Sequence, residues 1–138
     1  MAVSEEVRKA FADYIMLQAF DDQYIDRQEE KNILQEGVTK GIGVEEGLAI
    51  MRQVAQEKGL ALERDAEERA KEMLERFATN DGKVDKKEFV DAIAIFKSAS
   101  KGKIPEHEMK KRLKTMMETN GWKAKEGGLF GSKWYSAI

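Results

Sequence analysis

The chain has no cysteine, one proline and one histidine in 138 residues, and each scarcity excludes a class of chemistry. Without cysteine there is no disulfide framework, no thiol nucleophile and no cysteine-based zinc or iron–sulfur centre. Redox chemistry would need a cofactor from outside. With His107 alone, in the charged setting "PEHEMKK", a zinc or copper site would have to be built from carboxylates around one imidazole. A catalytic triad would need His107 brought next to a serine and an acid, which no sequence feature suggests, and His107 reads as a solvated surface residue. No apolar run approaches the ~20 residues that span a membrane, and "MAVSEEVRKAFADY" places charges where a signal peptide needs an apolar core. These features imply a cytoplasmic protein. The scarcity of proline, 41% hydrophobic and 36% charged residues suit an all-α domain long enough to bury a core unaided. A net charge of −2 supplies no global field to attract nucleic acid.

Apolar residues recur at helical spacing along the chain, with turn signals between. Val7, Phe11, Tyr14 and Ile15 mark a first helix that Ser4 can cap, ending near Phe20. Asp26 and Glu29 form a capping box for a second helix with Ile33 and Leu34, which stops in "KGIGVEEG". Leu48, Met51 and Ala55 face inward on a third, and Gly59 ends it. Ala66, Ala70, Met73, Leu74 and Phe77 mark a fourth, Phe89, Ile93 and Phe96 a fifth from about Asp85. Pro105 suits the first turn of a sixth helix carrying Leu113, Met116 and Met117, which Asn120 and Gly121 end. "KGIGVEEG" lacks the Gly-x-x-x-x-Gly-Lys-Ser/Thr pattern and a preceding strand, so it breaks a helix rather than cradling a phosphate.

Displacing the sequence by 59 residues superimposes its two halves. Asp22 falls on Asp81, Ile25 on Val84, Asp26 on Asp85 and Glu29 on Glu88, with Gly43 falling on Gly102 downstream. The repeat, about 5–60 and 64–120, is helix, acidic turn, helix, helix, giving a 1–120 domain of two related three-helix units and a 121–138 tail. The acidic turn "NDGKVDKKEF" resembles the second half of a calcium-binding EF-hand loop: with Gly82 at loop position 6, Asp81, Asp85 and Glu88 stand at 5, 9 and 12. Phe77 and Thr79 stand at positions 1 and 3, where a hard cation needs oxygen ligands. Gln18, Phe20 and Gln23 fail in the same way in the first copy, where Gln23 replaces the glycine. What is kept twice is Asp-x-x-(Ile/Val)-Asp-x-x-Glu. Two readings stand side by side. The acids cap helices, satisfying orphan N–H groups at a positive helix end; or they hold Ca2+ or another divalent cation weakly.

On Asp22, Ile25, Asp26 and Glu29, with Asp81, Gly82, Val84, Asp85 and Glu88, the chain resembles the TerB-like family of small helical domains first named for tellurite resistance. The resemblance covers roughly residues 5–120. It implies a helical bundle, a divalent cation held by Asp22, Asp26, Glu29, Asp81, Asp85 and Glu88, and a non-enzymatic role in a stress-response or membrane-associated assembly. The rival expectation is a degenerate EF-hand-type calcium sensor or buffer.

Two further segments are expected to meet partners. Lys97, Lys101, Lys103, Lys110, Lys111, Arg112 and Lys114, against Glu106 and Glu108, form either a solvated face or a contact for phosphates, an anionic membrane surface or an acidic protein. The tail sets Trp122, Phe130, Trp134 and Tyr135 among glycines and lysines. Such rings either fold back over the domain's own groove or bind a protein partner, where aromatics supply contact area at low entropic cost. The expectation from sequence is a scaffold module whose tail carries recognition.

Overall fold

A computed structural model describes residues 3–126 and 133–138, and among these the architecture is all-α. The chain divides into two compact units, residues 1–64 and 65–138, with the boundary in the first turn of the fourth helix. In the first, α1 (Glu5–Gln18) leads through a turn and β1 (Tyr24–Ile25) into α2 (Arg27–Thr39), α3 (Val44–Lys58) and β2 (Ala61–Leu62). In the second, α4 (Glu63–Phe77), β3 (Lys83–Val84), α5 (Lys86–Ala99), α6 (Glu106–Asn120) and β4 (Lys123–Ala124) repeat the order.

The strands are two-residue bridges, and each holds a unit closed. β1 pairs in parallel with β2, Ile25 opposite Leu62; β3 pairs with β4, Val84 opposite Ala124. Such a pair fastens the end of the third helix to the acidic turn after the first, so each unit has its own small core. Phe11, Ile15, Ile33, Ile50 and Met51 fill the first; Leu74, Phe89, Phe96, Leu113 and Met117 fill the second. The helix faces expected from periodicity therefore point inward, with Val7, Tyr14, Leu34, Leu48, Met73, Phe77 and Met116 only half-buried. Gly37 and Gly47 are needed for closeness rather than for turning. A Cβ on Gly37 would lie 3.1 Å from the ring of fully buried Phe11, and one on Gly47 3.1 Å from Leu34. Gly47 thus belongs inside α3, not to the break before it.

The repeat is real in the backbone, but its register changes along the unit. The displacement of 59 holds through the acidic turn. After it α5 is one residue longer than α2, and the link to the third helix is longer too, so Gly59 matches Gly121, both left-handed helix stops (φ 68° and 73°). The equivalent of Gly43 is consequently Pro105, since each is the N-cap of its unit's third helix, and not Gly102. Pro105 stands one position before the first helical residue, where its missing N–H leaves no orphan donor.

Gln23 repeats the conformation of Gly82. Its φ is 55° against 71° for the glycine, its N–H reaches the Ala19 carbonyl as that of Gly82 reaches Ala78, and its carbonyl accepts from Ala61 as that of Gly82 accepts from Lys123. A left-handed backbone costs a side-chain-bearing residue about 1 kcal/mol. Gln23→Gly is therefore expected to raise the stability of the first unit by up to about 1 kcal/mol. Chemical denaturation measures this, and a loss of stability would show that the glutamine side chain contributes more than the strain removes.

Candidate functional site: the paired acidic turns

Each acidic turn is built from three side-chain-to-backbone devices, and these occur twice with nearly equal geometry. Asp22 Oδ1 accepts from the Tyr24 N–H at 3.1 Å, and Asp81 Oδ1 from Lys83 at 3.0 Å, tightening the chain reversal. Asp26 accepts from the Glu29 N–H at 2.7 Å and Asp85 from Glu88 at 2.8 Å. Glu29 and Glu88 reach back to the N-cap N–H groups at 3.1 and 3.0 Å, completing two capping boxes. All six acids singled out from the sequence therefore have a structural occupation. Within each turn they are brought together along one chain reversal. Among the described residues, no cluster of three or more acidic or histidine side chains has the geometry to hold a metal ion.

The turns differ in what lies beside them. At the second, the Lys125 ammonium is 3.0 Å from Asp81 Oδ2. The hydrogen bond to Lys125 holds the Asp81 carboxyl below its ordinary value, and Asp81, then Glu88 and Asp85, hold the lysine above its own. A tethered cation thus already serves this loop. At the first, the residue one past the strand pair is Glu63, almost fully buried, whose carboxylate accepts the Arg27 N–H at 2.7 Å. It adds a further acceptor to the α2 N-terminus, which favours negative charge. Burial, then the nearby Asp26 and Asp22 charges, raises the Glu29 carboxyl above its usual value.

A second divergence lies one turn farther along. Buried Glu30 takes a bidentate ion pair from Arg64, at 2.8 and 2.9 Å, with Arg27 at 3.3 Å. Its counterpart in the second unit is Phe89, and the cover there is aromatic: the Trp134 ring lies 5.1 Å from Phe89 and its indole N–H donates to the Lys125 carbonyl at 3.1 Å.

The described part of the tail is accordingly packed in cis on the second unit. Trp122, Trp134, Tyr135 and Ile138 lie against its core. Tyr135 meets Trp134 edge-on at 5.6 Å, and Lys114 sits 4.9 Å over the Tyr135 ring while donating to the Tyr135 and Ile138 carbonyls at 3.3 Å. Glu126 accepts from the Ser136 hydroxyl at 2.6 Å and its N–H at 3.2 Å, which holds that carboxyl below its ordinary value. Phe130 lies outside the described residues.

The basic run divides in the same manner. Arg112 is held by Glu108 at 2.6 Å and Glu67 at 3.3 Å, and Lys114 by the tail, while Lys97, Lys103, Lys110 and Lys111 are exposed. His107 is exposed as well. A groove of about 340 Å³ beside Arg112 has Thr115 as the only lining hydroxyl among the described residues, and that hydroxyl donates to the Lys111 carbonyl.

Sequence reasoning missed Lys125 and Glu63, because their relation to the acidic turns depends on the strand pairs. It also passed over Met16, Leu17 and Phe20 as a surface. Leu17 and Phe20 are 69% and 79% exposed. The signal was available: Asp13, Met16 and Leu17 lie three and four residues apart on the face of α1 opposite Phe11 and Ile15, and Phe20 follows at the same spacing just past the helix end.

Comparison with family models, curated proteins and solved structures finds no match.

The cis contacts make the described part of the tail a structural cover. Trp134→Ala is expected to lower the stability of the second unit by about 1–3 kcal/mol, somewhat less than a fully buried ring because Trp134 is only half-buried. Chemical denaturation of this variant checks it; unchanged stability would mean that the ring's contact with Phe89 contributes nothing.

Proposed function

We propose that this chain is a non-enzymatic binding and scaffold module of TerB-like type, in which the acidic turns are structural connectors and an exposed apolar face of α1 makes the contact. The observation that carries this reading is the exposure of Leu17 and Phe20, with Met16 at 39%, at the C-terminal end of α1 and in the turn just past it. Large side chains contiguous on a surface mark interaction sites more often than scattered ones do. The second unit serves as an internal control. Met16, Leu17 and Phe20 correspond there to Glu75, Arg76 and Thr79, so the fold of the unit does not require apolar groups at these positions.

The rival reading, a divalent-cation sensor of degenerate EF-hand type, is favoured by one feature of the first turn. Glu29 is raised partly by its carboxylate neighbours, a repulsion that a bound cation would relieve. Against it, both capping boxes already use carboxylate lone pairs on backbone N–H groups, and the second turn has its own ammonium.

Thermal unfolding with and without millimolar calcium or magnesium separates the two, because a ligand bound only by the native state raises the midpoint. The scaffold reading expects a shift below about 1 °C. A rise of several degrees that disappears in Glu29→Gln, which keeps the back-bond to Asp26 but loses the charge, would establish the sensor instead.

A further inference from the structure

The two units carry opposite charge. Residues 1–64 hold 8 Lys and Arg against 13 Asp and Glu, whereas residues 65–138 hold 16 against 13. Part of the asymmetry falls beside exposed apolar side chains. Beside Met16 and Leu17 at the end of α1, and Phe20 two residues past it, stand the exposed carboxylates of Asp13, Asp21 and Asp22, with Lys9 exposed one turn before Asp13. On the outer face of α5, Val90 is 53% exposed, and it stands between Lys86 and Lys87 on one side and Ala94 and Lys97 on the other, with Asp91 at the edge. Helical spacing places all five on one stripe.

Neither surface is repeated in the other unit. Val90, Lys87 and Lys97 correspond to Lys31, Gln28 and Val38 in the first, as Leu17 and Phe20 correspond to Arg76 and Thr79 in the second. A duplicated fold has thus acquired one acid-rimmed apolar face and one lysine-flanked apolar face, in different copies of the repeat.

We infer that these two faces are partners, and that the chain associates with a second copy of itself head to tail, the α1 face of one molecule on the α5 face of the next. The inference deepens the scaffold reading by naming the occupant of the α1 surface. Leu17 and Phe20 supply the apolar contact with Val90 and Ala94, while Asp13, Asp21 and Asp22 meet Lys86, Lys87 and Lys97. Complementary rims chiefly set orientation and encounter rate. Because the two faces differ, the contact is heterologous. Each added copy leaves one face of each kind open, so association continues beyond the dimer unless a ring closes.

Sedimentation of the full chain across micromolar to millimolar concentration tests this. At low salt the weight-average mass should rise above the 15.7 kDa of one chain, and the association should be weaker at about 1 M salt, where the Debye length is about 3 Å. Phe20→Asp and Val90→Asp change exposed residues, so each should keep the helical spectrum of the parent and be monomeric. Mixed together they should form a complex of two chains and stop, since one retains only the α5 face and the other only the α1 face. A parent that stays monomeric throughout, or association that survives both substitutions, or a mixture of the variants that does not pair, would overturn the inference. A monomeric parent would leave the scaffold reading intact, whereas a cation-dependent melting midpoint would overturn that reading without touching this contact.

Discussion

Each unit depends on the reciprocal hydrogen bonds between an N-cap aspartate and the glutamate three residues later, Asp26 with Glu29 and Asp85 with Glu88. A helix start leaves N–H groups without intrahelical partners, and the chain arrives at this one directly from a sharp reversal and a two-residue strand. The capping box satisfies two of those donors and fixes the direction in which the helix leaves the turn. Ile25 and Val84, immediately before the caps, are thereby held in their cores and opposite Leu62 and Ala124. The aspartate four residues before each cap tightens the reversal. One short acidic signature thus sets the turn, the strand and the helix start together.

Around that common frame the two copies have diverged in what covers them. In the first, Glu30 is neutralised by Arg64 and Arg27; in the second, Phe89 is covered by Trp134. Glu63 supports the α2 N-terminus where Lys125 ion-pairs with Asp81. Outer surfaces have diverged further, acidic and apolar on α1, basic and apolar on α5. Function in a duplicated helical scaffold is expected in such differences, since what the copies share is already explained by folding.

Much of the fold was legible in the sequence. Six amphipathic segments, the Ser4 cap, both capping boxes and the glycine stops at 59 and 121 correspond to what the structure contains, because helix termini are governed by local chemistry. The strand pairs were not legible: two residues show no alternation, and their partners lie about 40 residues away. That hid Lys125 and Glu63 from any reading of the acidic turns. The change of register after α5 was hidden for a similar reason, since a glycine match at 43 and 102 looks the same whether or not the surrounding helix starts coincide. In the tail, the composition of large rings and glycines left packing in cis and in trans equally open, and it is Phe89 beneath Trp134 and Lys114 over Tyr135 that show where these rings lie.

The central claim is that the acidic signature works on the backbone, in the absence of any cation. It is tested most directly by chemical denaturation of Asp85→Ala and Asp26→Ala in buffer containing a strong chelator. Loss of an aspartate N-cap costs about 1 kcal/mol, up to about 2, and the account predicts a loss of this size from each substitution under chelation. Stability that is unchanged in chelator, with a penalty appearing only when calcium or magnesium is added, would contradict it and return the six acids to the role of metal ligands.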